Sequence, residues 1–201
     1  MRTPSPKLSA LAPLLALALV LAAGPALAAG PDVSIYDPGE LPPTDSRLKV
    51  EVGQAAPDFA LPSVGGGKVR LSDYRGKKNV VISFVPAAFT PVCSGQWPGY
   101  HLAEKEFSDR DAVVLGITTD NLPTLHAWTQ AMTGGMWFPV LSDFWPHGKA
   151  AKTYGVLRGD GTAERALFVI DKNGVIQWID VHDINKRPPL DELIAALDKL
   201  G

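Results

Sequence analysis

Cysteine is all but missing from this sequence: Cys93 is the one thiol in 201 residues. A lone cysteine closes no disulfide within its own chain. Three roles remain for it: a buried structural residue, a site of pairing between chains, or a reactive thiol. A thioredoxin-type Cys-x-x-Cys pair is excluded, because Gln96 stands where the second cysteine would be. Histidine is scarce. His101, His126, His147 and His182 stand apart without metal-ligand spacing, so no metal is expected. No glycine-rich phosphate loop is visible, and no cofactor is expected. A basic excess is lacking too. The 19 Lys and Arg against 21 Asp and Glu leave a net charge of −2, which argues against a nucleic-acid surface.

Long apolar runs are also few, and the main one lies at the N-terminus. Arg2 and Lys7 precede an apolar stretch from Leu8 to Ala23, followed by Gly24-Pro25 and the small-x-small pattern Ala26-Leu27-Ala28. This is the layout of a secretory signal peptide over 1–28, with cleavage expected after Ala28. The run is short and alanine-rich for a membrane span, although an uncleaved anchor is the alternative reading. No cysteine near the cleavage point is available for lipidation. Cleavage would leave 173 residues (201 less 28), enough for one domain with a proper core. The expected location is periplasmic or secreted, with no stable membrane association after cleavage. That compartment is oxidising, and its proteins commonly pair their cysteines, which makes a single one conspicuous.

Residues 29–49 are proline-rich and lack periodicity, and read as an extended tail or linker leading into a domain over 50–201. In that domain "KNVVISFV" (78–85) and "AVVLGITTD" (112–120) have the β-branched, apolar character of buried strands. A shorter strand is expected at 138–143, and 165–171 and 175–181 flank the hairpin signal "KNG". Helices are expected at 101–108, 122–132, 147–156 and 189–200. Strands alternating with helices, then a hairpin and a last helix, indicate an α/β or α+β sheet covered on both faces, compatible with a thioredoxin-like fold.

Strand 78–85 runs into "PAAFTPVC". Thr90 followed by Pro91 is a helix-start signal, threonine as N-cap and proline at the first helical position. Cys93 then falls in the first turn, where free backbone N–H groups and the positive end of the helix dipole favour a thiolate. Pro98 predicts a kink near Gln96–Pro98 or a fresh helix starting there. The plain alternative for Cys93 is a small buried hydrophobe.

Pro86, Thr90 and Cys93 match the Pro-x-x-x-Thr-x-x-Cys motif of the peroxiredoxins, and the resemblance covers about residues 50–200. "LSDFWPHG" resembles the alkyl hydroperoxide reductase E subgroup, whose members often work with one cysteine. The resemblance implies a thioredoxin-like α/β fold, a central mixed sheet flanked by helices on both faces. It also implies a thiol-dependent peroxidase acting on hydrogen peroxide and small organic hydroperoxides. Cys93 would be the peroxidatic thiol. Thr90 would place its hydroxyl on the sulfur and the peroxide, Pro86 would shield the thiolate from water, and Arg165 would contact sulfur and peroxide together. Gln96 departs from the family's frequent glutamate, which leaves the orientation of Arg165 open. The partners implied are a peroxide, an external thiol reductant (a small thiol or a redoxin) and a second copy in a homodimer.

Two other readings remain: a peroxide sensor passing oxidation from Cys93 to a partner, and a non-catalytic thioredoxin-fold module. Taken alone, Arg165 would suit a surface ion pair with Glu164 or Asp171. His147 reads as a helix-start or core histidine, and the five tryptophans, Trp97, Trp128, Trp137, Trp145 and Trp178, as core or interface aromatics. Peroxide preference is expected to depend on the pocket around Phe89 and Trp145.

Overall fold

The computed structural model describes residues 34–200 together with Met1, so the signal-peptide reading of 1–28 lies outside the described residues apart from Met1. A small antiparallel hairpin comes first, β1 (Ala60–Pro62) with β2 (Lys68–Arg70). The main sheet holds five strands in the order β5-β4-β3-β6-β7. Its members are β3 (Asn79–Phe84), β4 (Ala112–Thr118), β5 (Val140–Ser142), β6 (Arg165–Ile170) and β7 (Ile176–His182). β4 pairs parallel with both β3 and β5, whereas β6 runs antiparallel to β3 and β7. The mixed sheet agrees with the expectation.

All six residues of β3 are buried, as a central strand covered on both faces requires. Its alternate residues feed two cores. Val80, Ile82 and Phe84 pack on one face with Tyr154 and Phe168. Val81 lies on the other, with Trp97, Trp128 and Leu193. The second face is covered by α1 (Cys93–Leu102), α3 (Leu122–Thr133) and α5 (Leu190–Asp198), and the first by α4 (Lys149–Tyr154). Fully burying a side chain such as Ile82 or Phe84 contributes about 1.5–3 kcal/mol, so this central strand anchors both layers.

Helix ends follow local chemistry. Asn121 caps α3 by accepting from the Thr124 N–H at 3.0 Å, and Gly134 closes it in the left-handed region at φ 73°. The helix expected at 101–108 is divided instead. α1 runs unbroken through Pro98 to Leu102, and α2 (Glu104–Ser108) follows after Ala103. Pro98 lacks an N–H and crowds the Ser94 carbonyl, and the buried packing of Trp97 and Tyr100 holds the helix across that position.

Residues 34–49 form neither helix nor strand, and they are fastened to the domain. Leu41 exchanges two hydrogen bonds with the Asn185 side chain, at 2.9 and 2.7 Å. The Asp45 N–H donates to Glu164 at 2.7 Å, and the Lys49 N–H donates to the Tyr154 carbonyl at 3.1 Å.

Candidate active site

Sheet topology brings together residues far apart in the chain. β3 ends at Phe84, which pairs with Ala166, so Arg165 stands just past the end of β3. The same end of β3 feeds the loop that reaches Cys93 at the start of α1. Antiparallel pairing thus sets Arg165 beside a thiol 72 positions earlier, with its NH2 group 3.5 Å from the Cys93 Sγ. Both side chains are buried, Cys93 at 0% exposure and Arg165 at 2%. The surface ion pair conceived for Arg165 does not form: Glu164 binds Arg158, and Asp171 accepts from its own turn.

A buried guanidinium needs acceptors, and they are present. Its NH1 donates to Gln96 Oε1 at 2.6 Å, while Nε and NH2 donate to the Ile184 carbonyl at 3.2 and 3.0 Å. Gln96 is held in turn, its Nε2 reaching Tyr100 Oη at 3.2 Å and Ser83 Oγ at 3.4 Å. Burial, the largest influence on it, pushes the Tyr100 phenol well above its ordinary range, so it remains a neutral partner. The glutamine that departs from the common pattern therefore does orient the arginine, through a neutral amide.

Thr90 differs from expectation in its side chain. Its carbonyl accepts from the Ser94 N–H at 2.9 Å, a turn leading into α1, which starts at Cys93 with Val92 rather than Thr90 at its N-cap. Its hydroxyl donates to the Ala87 carbonyl at 2.9 Å instead of capping the helix. Among the described residues no hydrogen bond joins Thr90 Oγ1 to the sulfur, because the tight 87–90 turn claims the hydroxyl first.

Pro86, Thr90 and Arg165 share the wall of a cleft of about 490 Å³, together with Tyr36, Leu41 and Ile184. The sulfur lies behind that wall without exposure, so a molecule entering the cleft meets these three residues before Cys93. Trp145 does not line the cleft, and Phe89 acts there through its carbonyl, which accepts from the Tyr36 N–H at 2.7 Å. His147 is exposed, just ahead of α4, and is not a core histidine. Trp97 and Trp128 are core, with ring centroids 5.0 Å apart, whereas Trp145 is 68% exposed. Among the described residues no group of three His, Cys, Asp or Glu side chains could hold a metal ion.

Two contributions were beyond sequence reading. Ile184 acts through its carbonyl, which leaves no trace in residue type. Tyr36 and Leu41 come from a segment without periodicity.

A mixed sheet with flanking helices, carrying a thiol at a helix start beside a buried arginine, defines a thioredoxin-like thiol enzyme. The profile of the AhpC/TSA family matches residues 52–179. Alkyl hydroperoxide reductase E of Mycobacterium tuberculosis is 40% identical over 133 residues, 66% of this chain and 86% of that one. A chloroplastic 2-cysteine peroxiredoxin of Chattonella marina is 37% identical over 161 residues, 76% of this chain and 82% of that one. Among solved structures, the reduced 2-Cys peroxiredoxin of Plasmodium vivax superposes with a TM-score of 0.70 at 31% identity, covering 75% of this chain and 81% of that one. The chain belongs to the AhpC/TSA family, the peroxiredoxins, and is a thiol-dependent peroxidase.

Proposed function

We propose that the protein is an exported one-cysteine peroxiredoxin reducing hydrogen peroxide and small organic hydroperoxides. The observation that carries this reading is the buried Arg165 guanidinium 3.5 Å from the only cysteine sulfur in the chain. The positive charge is placed to stabilise negative charge on the attacking sulfur and on a departing oxygen. The Cys93 thiolate attacks the terminal oxygen of ROOH, an S–O bond forms as the O–O bond breaks, and the leaving alkoxide takes a proton to depart as ROH. Pro86 keeps bulk water from the sulfur, and Thr90 holds the loop that shapes the approach.

The product is a Cys93 sulfenic acid. With no second cysteine, an external thiol attacks its sulfur, releases water and leaves a mixed disulfide. A second thiol then frees the Cys93 thiolate. The reductant is a small thiol or a redoxin. The signal-like segment 1–28 supports export to the periplasm or beyond, and the family resemblance supports a homodimer.

The test uses reduced protein from Ala29 onward, mixed with one equivalent of hydrogen peroxide and followed by tryptophan fluorescence and intact mass. Rapid gain of one oxygen, trapped at Cys93 by a sulfenic-acid reagent, is the expected result. Reaction no faster than that of free cysteine would refute the peroxidase reading of Cys93.

A further inference from the structure

The segment 36–49 lies outside the stretch that matches the family profile, which begins at residue 52. It is nevertheless built into the site. At one end the Tyr36 N–H donates to the Phe89 carbonyl, in the loop that carries Thr90 and Cys93. At the other end Leu41 is clasped by Asn185, and the Pro43 carbonyl accepts from the Ile184 N–H at 3.1 Å. The Ile184 backbone is therefore gripped twice, by this segment at its N–H and by Arg165 at its carbonyl.

Between those two fastenings residues 37–40 line the cleft, and the hydrogen bond within them is their own, Gly39 N–H to Asp37. The segment contributes two kinds of surface. Tyr36, Pro38 and Leu41 extend the apolar wall that begins at Pro86 and Val92. Asp37 and Glu40 add carboxylates to a cleft that Asp160 also lines. Among the described residues no lysine lines the cleft, and the one cation lining it is Arg165, beside Cys93.

We propose that residues 36–41 are a substrate-selecting wall, favouring uncharged organic hydroperoxides with an apolar body and turning away those that carry a carboxylate. This rests on the peroxidase reading. An apolar body in the cleft leaves water against Tyr36, Leu41 and Ile184, whereas hydrogen peroxide gains nothing from them. A carboxylate on that body would sit among three like charges, a repulsion that weakens with ionic strength because the rim is open to solvent.

The experiment measures rates of Cys93 oxidation by hydrogen peroxide, cumene hydroperoxide and the para-carboxylate of cumene hydroperoxide. The full mature chain, its D37N/E40Q variant and its Tyr36→Ala variant are compared. In the parent chain the uncharged cumene compound should react about tenfold faster than its carboxylate at low salt, the gap narrowing as salt is added. D37N/E40Q should bring the two within about threefold. Tyr36→Ala should lower the ratio of cumene hydroperoxide to hydrogen peroxide rates about fivefold, through lost apolar contact. Equal rates with both cumene compounds in the parent chain, or an unchanged ratio in D37N/E40Q, would overturn the proposal while leaving the peroxidase reading intact. Failure of Cys93 to react with hydrogen peroxide would instead refute the peroxidase reading and the selectivity with it.

Discussion

Arg165 is shared between Gln96 and Cys93: NH1 donates to the amide oxygen at 2.6 Å while NH2 lies 3.5 Å from the sulfur. One rigid guanidinium plane thus couples the side chain that orients it to the thiol it serves. The orienting group is neutral, so the arginine's charge is not offset where it faces the sulfur.

A Gln96→Glu substitution tests that balance. A carboxylate at the same buried position would keep the contact to NH1 and cancel part of the positive field at Cys93. The reaction with hydrogen peroxide at a fixed pH should then slow severalfold, as read by stopped-flow mixing. Gln96→Leu removes the contact altogether and should slow the reaction about tenfold or more, the worth of a hydrogen bond to a charged group. A rate unchanged by the glutamate would show that the site does not feel the charge at position 96.

Arg165→Lys keeps a positive charge and loses the fork. An ammonium group cannot present the planar donor set that reaches Gln96, Ile184 and the sulfur together. The peroxide reaction should slow by about a hundredfold, with secondary structure retained by circular dichroism. A rate within about twofold of the parent would mean that charge alone suffices and the geometry is incidental.

Thr90→Val asks a narrower question. The hydroxyl closes the 87–90 turn through the Ala87 carbonyl, and valine matches threonine in shape without that bond. The substitution should cost about 1 kcal/mol or less in stability and slow peroxide reduction severalfold, measured by urea unfolding and stopped-flow. Parent-like rates would remove Thr90 from the site.

Much of this architecture is legible from residue type. β3 and β4 declare themselves as apolar, β-branched runs, whereas Thr90-Pro91 marks the helix start too early, since α1 begins at Cys93 with Val92 at its N-cap. What the Thr90 hydroxyl does could not be read, since a cap and a local turn are competing uses of one group. The Gln96–Arg165 contact depends on which strand lies beside β3, and no local pattern encodes that neighbour. The 36–45 segment is least legible of all. Its attachments run largely through backbone atoms, Tyr36 N–H to Phe89 and Pro43 carbonyl to Ile184, to which side-chain periodicity is blind.

Gly116 lies in the middle of β4, directly under Trp97. A Cβ there would stand 2.8 Å from the indole ring, too close for any side chain larger than hydrogen. The Trp97 ring is held by its Nε1 bond to Ser83 Oγ at 3.0 Å and by the face of Trp128, so it has little room to yield. Gly116→Ala should destabilise by about 1–3 kcal/mol and alter tryptophan fluorescence, because the new methyl group displaces the Trp97 indole itself. Unchanged stability and emission would show that the ring shifts freely.

The buried ion pair of Arg158 and Glu164, 2.6 Å apart with side chains 2% and 0% exposed, fastens the N-terminal segment to the domain. Glu164 accepts from the Asp45 N–H, and Arg158 donates to the Pro42 carbonyl at 3.0 Å. Removing one partner strands the other charge in a dry site, so Glu164→Ala should cost about 3–5 kcal/mol in urea unfolding. Pairing it with Arg158→Met removes the stranded charge as well, and the double variant should lose less than the sum of the two singles. Because the pair also grips residues 42 and 45, Glu164→Ala should expose the segment to limited proteolysis before the rest of the domain is cut. Strictly additive losses, with the segment as protected as in the parent, would show that the two charges neither depend on each other nor hold the segment in place.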